Sequence, residues 1–391
     1  MRFVANGEKT LVLSEVFPPR HGGSGRWFFE LYSRLPRAEY TIAAGCTSGD
    51  HSFDAKQSLD IRRIRLSSKS WGLLSFEGIR FYWRAFRDVR RLVNETGATK
   101  LHCGRCFPEG VIAWIYSKLY RSPYACYVHG EDIQTATLSR EHAILVGLVL
   151  RNSAFLLANS KNTAALLKNS WQIDEGKIQV LYPGIDANRF KPAAPDSTFL
   201  AKMGWLNRTV MLTVGRLQKR KGHDMLIRAL PTIAERYPDV LYAIVGGGDQ
   251  LEELQSLAIE QCVDDRVHFL GELSDEQMIR CYQQCTLFLL PNREEGRDIE
   301  GFGLVLVEAQ ACGKPVLAGT SGGTSETMLV GKSGIVVDCR TPDTLAQAVN
   351  SLLNEGSRLR KRGEIGREYV SERYDWTACA AFAAKVFSER T

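Results

Sequence analysis

The chain has 391 residues, 44% apolar, 24% charged and 9% aromatic, the balance of a soluble globular protein with more length than one core fills. Its net charge of +6 suits an anionic small ligand or surface, but no helix-turn-helix or finger spacing accompanies it, so nucleic acid is not an expected partner. Ten cysteines without a secretory leader read as reduced thiols used as small apolar residues, not as a disulfide scaffold.

The opening stretch, MRFVANGEKTLVLSEV, carries an acid inside its short apolar run and does not read as a signal peptide. A first strand is predicted at 10–13, and after a short loop HGGSGR (21–26) should open a helix. There Gly22 and Gly23 would let the backbone approach a ligand and point amides at an anion. The spacing is not the dinucleotide fingerprint GxGxxG, and a ligand-free tight turn reads equally well. A strand at 40–44 follows. Residues 77–93, EGIRFYWRAFRDVRRLV, carry apolar residues at 79, 82, 86, 89 and 93, which predicts an amphipathic helix. Arg80, Arg84, Arg87 and Arg91 fall along one face, with Trp71, Phe81 and Trp83 nearby. Such a stripe is either an ordinary solvated face or a surface for anionic lipid headgroups.

The next strand, 100–103, runs into CGRC, in which Cys103 and Cys106 have the spacing of a redox or metal pair. No second pair or thioredoxin-like context accompanies them, which favours a structural role. A strand at 124–128 is followed at once by His129 in YVHGEDI, a histidine that could be a structural hydrogen-bonder or a ligand contact at a strand's carboxyl end. The longest apolar run, 143–150, stops at Arg151 and is too short to cross a bilayer. A strand at 155–158 closes this first series.

After a connector rich in proline and alanine, PGIDANRFKPAAPD, the scheme restarts with strands at 210–214, 241–245, 267–269, 287–290, 315–318 and 334–337. Strands alternating with helical patterns predict an α/β protein of two doubly wound parallel-sheet domains joined near 188–197, with ligands outside the carboxyl ends of the strands. In VGRLQKRKG, Arg216 sits just past a strand and Lys221 five residues later, a fork and a point charge suited to a diphosphate. The bland alternative is a solvated basic turn that also holds Lys219 and Arg220. VGGGDQ closes the following strand.

In EGFGLVLVE, Glu300 and Glu308 stand eight positions apart. On one continuous helix the second carboxylate would be turned by about 80° and lie about 12 Å further along. Gly301 and Gly303 instead predict Glu300 in a loop and a helix starting near Phe302 that carries Glu308 inward. A buried carboxylate needs donors. The vicinal diol of a ribose offers two to Glu308, and a hexose could do the same for Glu300. Amides at Phe302, Gly303 and Leu304 would then lie near the phosphates.

Together these residues resemble the retaining glycosyltransferases of family 4 (GT-B fold, glycosyltransferase group 1) over essentially the whole chain. VGRLQKRKG resembles the family's GR…KG element, EGFGLVLVE its E-x7-E element with the embedded GFG, and SGGTSE its GG-x-x-E turn. The first half contributes GGSG, His129, ANS at 158–160 and PGID at 183–186. The resemblance implies two Rossmann-like domains facing across a cleft: an acceptor-binding domain at 1–187, a nucleotide-sugar donor domain at 188–373, and a C-terminal helix at 374–391 crossing back to the first. It implies that Arg216 and Lys221 hold the donor diphosphate and stabilise the departing charge, helped by amides at Gly22, Gly23, Gly303 and Leu304. Glu308 would bind the nucleotide ribose, Glu300 the donor hexose, and His129 the hexose near its C6 hydroxyl.

Neither cofactor nor metal is implied, the positive groups acting on the leaving diphosphate instead. With no side-chain nucleophile apparent, retention would follow a same-face route. Ser325 stands where the family often has proline, and the loop NREEGRDI (292–299) is longer and more charged than in many members. The nucleobase is expected to meet backbone groups around 266–271. The expected donor is a UDP-hexose, foremost UDP-glucose, with GDP-mannose as the alternative. The expected acceptor is a polysaccharide or glycolipid, and the expected location the cytoplasm, with peripheral attachment to the inner face of the membrane. A glycosidase would need carboxylates facing across one bond and no diphosphate clamp. A nucleotide-sugar epimerase would bind the same donor without an acceptor. A non-enzymatic sugar-binding protein would not need the full donor set, and an oxidoreductase would want GxGxxG.

Overall fold

The computed structural model describes residues 9–20, 22–68 and 72–390; His21, Trp71 and the first eight residues, which figure in the sequence reading, lie outside the described residues. The chain divides into two compact units, Met1–Gly184 with Trp376–Thr391, and Ile185–Asp375. The first unit contains a parallel sheet of seven strands, β1 (Thr10–Ser14), β2 (Tyr40–Gly45), β3 (Asp60–Ile64), β4 (Lys100–Cys103), β5 (Tyr124–Val128), β6 (Phe155–Ala158) and β7 (Ile178–Val180). Their order is β3-β2-β1-β4-β5-β6-β7. The second contains six, β8 (Thr209–Val214), β9 (Val240–Val245), β10 (Val267–Phe269), β11 (Leu287–Leu290), β12 (Val316–Gly319) and β13 (Gly334–Val337), ordered β10-β9-β8-β11-β12-β13. These are the two Rossmann-like sheets that the resemblance implies. In each, the order reverses between the first and fourth strands, and ligands of such sheets bind outside the carboxyl ends there.

Helices cover both faces of a parallel sheet, so its inner strands are buried throughout and read as continuous apolar runs. β1, β2, β5 and β6 are buried at every position, as are β9, β11 and β12. In the first unit the helix Phe76–Thr96 is capped by the Ser75 hydroxyl, which accepts from the Gly78 amide, and ends at Gly97 with a positive φ of 71°. It buries Gly78, Tyr82, Ala85, Val89 and Leu92, whereas Ile79, read from the sequence as part of the packing face, is 56% exposed. The helix Trp376–Glu389 packs into the first unit's core through Trp376, Ala383 and Phe387 beside Tyr32, Tyr127 and Phe155. The CGRC cysteines are core residues: Cys103 and Cys106 are buried, the Cys106 sulfur lies 3.9 Å from that of Cys126, and burial pushes the Cys103 thiol up.

Candidate active site

In the second unit the polar groups gather at the carboxyl ends of β8 and β11. Past β8, Arg216 is exposed, and the short turn Lys219–Lys221 ends at Gly222. Gly222 has a φ of +73°, and a Cβ there would lie 1.9 Å from the Pro291 carbonyl oxygen, so only glycine lets the turn press against the chain leaving β11. That contact sets Lys221 beside Glu300. Lys221 Nζ donates to Glu300 Oε2 at 2.5 Å and Arg220 Nη1 donates to the same oxygen at 2.6 Å, while Arg220 Nε lies 3.1 Å from Asp298 Oδ1. Arg220, Lys221 and Glu300 are each less than a tenth exposed. Burial alone would raise the Glu300 carboxyl, but the Lys221 and Arg220 charges outweigh it and hold it below the usual carboxylate range.

Glu300 is seated from behind by the SGGTSE turn. The Gly323 amide donates to the Glu300 carbonyl at 3.0 Å, and a Cβ on Gly322 would lie 1.7 Å from that oxygen. Ser325 is exposed on the turn Thr324–Thr327, which forms without proline; the Glu326 carbonyl accepts from the Tyr374 hydroxyl at 2.5 Å. The charged loop before Glu300 is tied into the unit. Asn292 accepts from the Gly319 amide and donates to the Ser321 carbonyl, each at 3.0 Å, and Arg293 forks onto Asp224 at 2.7 and 3.0 Å.

The helix that follows begins at Leu304, not Phe302, with Gly303 (φ +88°) as a cap that has no side chain. Its first amides lack intrahelical acceptors, as at any helix start. Phe302 is buried with its ring edge-on to Tyr374 at 5.6 Å, so its side chain packs. Glu308 is 4% exposed, and its Oε2 accepts from the Tyr282 hydroxyl at 2.8 Å, one of the donors a buried carboxylate needs. Of the segment 266–271, only the far end reaches this edge: the Gly271 carbonyl accepts from the Gly246 amide at 2.8 Å, whereas Arg266 turns to the Pro238 carbonyl at the amino end of β9.

In the first unit Gly22 and Gly23 open the helix Gly23–Tyr32 after β1; both are exposed, and a Cβ on Gly23 would meet nothing within 4 Å. Beyond β5, His129 is 8% exposed, its Nε2 lies 2.8 Å from the Gly104 carbonyl, and Trp27 and Phe28 face its ring edge-on at 5.5 and 6.0 Å. A carbonyl only accepts, so this network assigns the proton to Nε2 and leaves the lone pair on Nδ1. Burial lowers the His129 pKa against the pull of Asp132, so the ring is neutral. Asn159 of ANS donates to the His129 carbonyl at 3.1 Å, which gives that motif a positioning task. The PGID aspartate, Asp186, accepts from the Asn188 and Arg189 amides at 3.0 and 3.1 Å.

Two residues went unassigned in the sequence reading. Arg220 was counted with the solvated turn although it is more buried than Lys221, and Tyr282 lies on another helix, Asp275–Gln284, with no local signal pointing to Glu308.

Residues 21–189 match the family model described as Glycosyltransferase Family 4, and residues 199–369 match Glycosyl transferases group 1. A GDP-mannose-dependent alpha-(1-6)-phosphatidylinositol monomannoside mannosyltransferase of Mycolicibacterium smegmatis is 31% identical over 97% of this chain and 98% of its own. D-inositol 3-phosphate glycosyltransferase 2 of Catenulispora acidiphila is 34% identical over 76% of this chain and 72% of its own. Among solved structures, HepE of Anabaena in complex with UDP and glucose aligns with a TM-score of 0.82 and 22% identity, covering 98% of this chain and 100% of HepE, a likeness of fold. The chain belongs to the group 1, family 4 glycosyltransferases and is a hexosyltransferase.

Proposed function

We propose that this enzyme moves a mannosyl group from GDP-mannose to an inositol-bearing glycolipid, with retention of configuration and without a metal ion. The near full-length likeness to a GDP-mannose-dependent mannosyltransferase supports this donor over the UDP-glucose expected from the sequence. HepE, at 22% identity, carries no weight on the choice. The observation that carries the donor side is the buried carboxylate of Glu300 shared by Arg220 and Lys221, with exposed Arg216 on the same edge. Two carboxylates, Glu300 and Asp298, against the three cations Arg216, Arg220 and Lys221 leave this group net positive, which favours a diphosphate and stabilises the charge that develops as it departs.

In this reading Arg216 and Lys221 meet the diphosphate, and the amides opening the helices at Gly22, Gly23, Gly303 and Leu304 add further donors. Glu300, held ionised, accepts from hexose hydroxyls, and Glu308 accepts from the ribose. Neutral His129 offers its Nδ1 lone pair to the C6 hydroxyl. The bond from the anomeric carbon to the diphosphate breaks, the acceptor oxygen bonds to the same face, and its proton passes to the departing diphosphate.

The lipid side rests on the helix Phe76–Thr96. Leu74, Phe76, Ile79 and Trp83 at its start are 86%, 79%, 56% and 61% exposed, next to exposed Arg80, Arg84 and Arg87, and Arg87 lies over the Trp83 ring at 5.0 Å. Apolar and aromatic side chains beside a basic face suit the headgroup region of an anionic bilayer. No helix among the described residues is long and apolar enough to cross a membrane. In this reading the helix Phe76–Thr96 attaches the enzyme peripherally to the cytoplasmic face.

The test is transfer from GDP-mannose, UDP-glucose, UDP-galactose or UDP-N-acetylglucosamine to phosphatidylinositol mannoside vesicles in EDTA, with products read by mass spectrometry and NMR. An α-mannoside from GDP-mannose alone is expected. Product from a UDP-sugar alone would return the donor to the UDP series, a β-linkage would remove retention, and silence until Mg²⁺ is added would remove metal independence.

A further inference from the structure

The first unit holds a cavity of about 640 Å³ at the edge opposite Gly22 and His129. Thr10, Tyr40, Lys100, Tyr124 and Phe155, which line it, are the first residues of β1, β2, β4, β5 and β6, and the helix Trp376–Glu389 closes it through Ala384 and Phe387. Its size is that of a small-molecule site, and it lies at the amino ends of the strands, away from the carboxyl edge where sheets of this class bind their nucleotides.

Three features give it a chemistry. The walls are aromatic: Phe387 stands 4.6 Å from the His102 ring, with Phe155 at 6.1 Å and Tyr40 at 6.5 Å. The rim is basic, with Lys100, Lys385 and Arg390 against the single carboxylate of Glu39 among the lining residues. Lys385 is 3.8 Å from Glu389, and Arg390 reaches the Gly176 carbonyl; neither contact removes the positive charge of the side chain. Finally, His102 is 4% exposed, and a chain of hydroxyls occupies one ring nitrogen, Tyr127 to Tyr32 at 3.0 Å and Tyr32 to His102 Nδ1 at 2.8 Å. Among the described residues no group bonds Nε2, and the ring lines the cavity. Burial keeps the imidazole neutral. In the tautomer in which the Tyr32 hydroxyl donates to Nδ1, Nε2 carries the hydrogen and is a donor for a ligand.

We propose that this cavity is a second ligand site, separate from the transferase chemistry, for a small aromatic anion: a planar ring between Tyr40, Phe155 and Phe387, accepting from His102 Nε2, with its anionic group toward Lys385 and Arg390. Rings favour edge and offset contacts with such walls, and the rim supplies the countercharge.

The probe is 8-anilinonaphthalene-1-sulfonate, an aromatic anion with a planar naphthalene ring whose fluorescence rises on burial, titrated into the full chain with and without saturating GDP-mannose. One saturable site per chain, undisturbed by the sugar nucleotide, is expected. The double variant K385E/R390E, which alters only exposed side chains, should weaken binding by roughly tenfold or more, the scale of one lost charge-assisted contact. Ala384→Trp, which places an indole in the cavity beside Phe387, should weaken binding at least as much. Absence of saturable binding, displacement by GDP-mannose, or unchanged affinity in the folded double variant would each overturn the proposal.

Discussion

Glu300 balances two buried cations on one carboxylate oxygen, so its replacement acts on both stability and transfer. Alanine would leave Lys221 buried without its counter-ion and Arg220 with Asp298 in place of two carboxylates, a loss on the order of 3 kcal/mol. Glutamine keeps the shape and an acceptor oxygen but removes the charge; E300Q should fold with a smaller loss and slow transfer by roughly 10²-fold or more, since it alters groups aimed at the developing charge. Calorimetry with GDP checks the assignment, because a sugar-directed Glu300 predicts GDP binding changed far less than turnover. Near-normal turnover by folded E300Q would remove it from the donor site. For Glu308 the separable change is Tyr282→Phe, which deletes its 2.8 Å hydrogen bond without altering the carboxylate. A destabilisation of about 1–3 kcal/mol with weaker nucleotide binding is expected, read by thermal unfolding and GDP titration. The roles of these residues were unevenly legible. The basic turn was visible as a run of charge, but no periodicity tells which members of a three-residue turn point inward: Lys219 is exposed, Arg220 and Lys221 are buried. Tyr282 meets Glu308 across 26 positions, a contact that only the folded sheet creates.

Among elements, the helix Phe76–Thr96 gives the clearest test. Each basic residue near an anionic surface contributes about 1 kcal/mol, so reversing Arg80, Arg84 and Arg87 to glutamate should reduce binding to phosphatidylinositol vesicles by at least about two orders of magnitude, with the parent's binding falling as salt rises. Turnover on a short-chain, water-soluble acceptor should be unchanged, because none of the three is placed at the donor. Vesicle sedimentation of parent and triple variant decides it; no binding by the parent would detach the helix from the lipid reading. The amphipathic pattern was readable, and its phase holds at Tyr82, Phe86, Val89 and Val93, all on the core side, but not at Ile79. Apolar Ile79 matched the helical period yet faces outward, while small Gly78 and Ala85 take the packed side, because close approach there favours small residues that hydropathy does not mark. Strands followed the same logic. The inner strands were located to within a residue at each end because burial on both faces demands unbroken apolar runs. β3 (DIRRI) and β7 (IQV) were missed: both are edge strands, half exposed and mixed in polarity, so neither carries that signature.

Across the whole molecule, buried titratable groups give the two units opposite pH responses. In the second unit burial lowers His223 to about 4 and also lowers His268. An unfolded histidine titrates near 6.5, so between about 4 and 6.5 the unfolded chain binds the proton and the native unit does not; stability falls as pH falls through that window. In the first unit His102, lowered to about 3 by burial, acts in the same sense. Glu109 acts in the opposite one. It is 1% exposed, its Oε1 accepts from the Glu15 amide at 2.6 Å, its Oε2 meets no hydrogen-bond partner, and burial raises it to about 8. The native unit therefore holds a proton that the unfolded chain releases, and stability falls as pH rises through the window from about 4.5 to 8. His129, lowered, and its neighbour Asp132, raised, pull against each other. Below pH 6.5 the His102 and Glu109 effects offset in the first unit, and above it only Glu109 remains. The first unit should lose about 2 kcal/mol between pH 6.5 and 8, and the second a similar amount between pH 6.5 and 5, at about 1.4 kcal/mol per titrating group per unit of pH. Hydrogen exchange read by mass spectrometry at pH 5, 6.5 and 8, corrected for intrinsic exchange, follows β1 and β5 separately from β8 and β9. E109Q should abolish the alkaline loss in the first unit and leave the acid response of the second intact. An alkaline loss in β1 and β5 that persists in E109Q would mean that another group in that unit titrates instead.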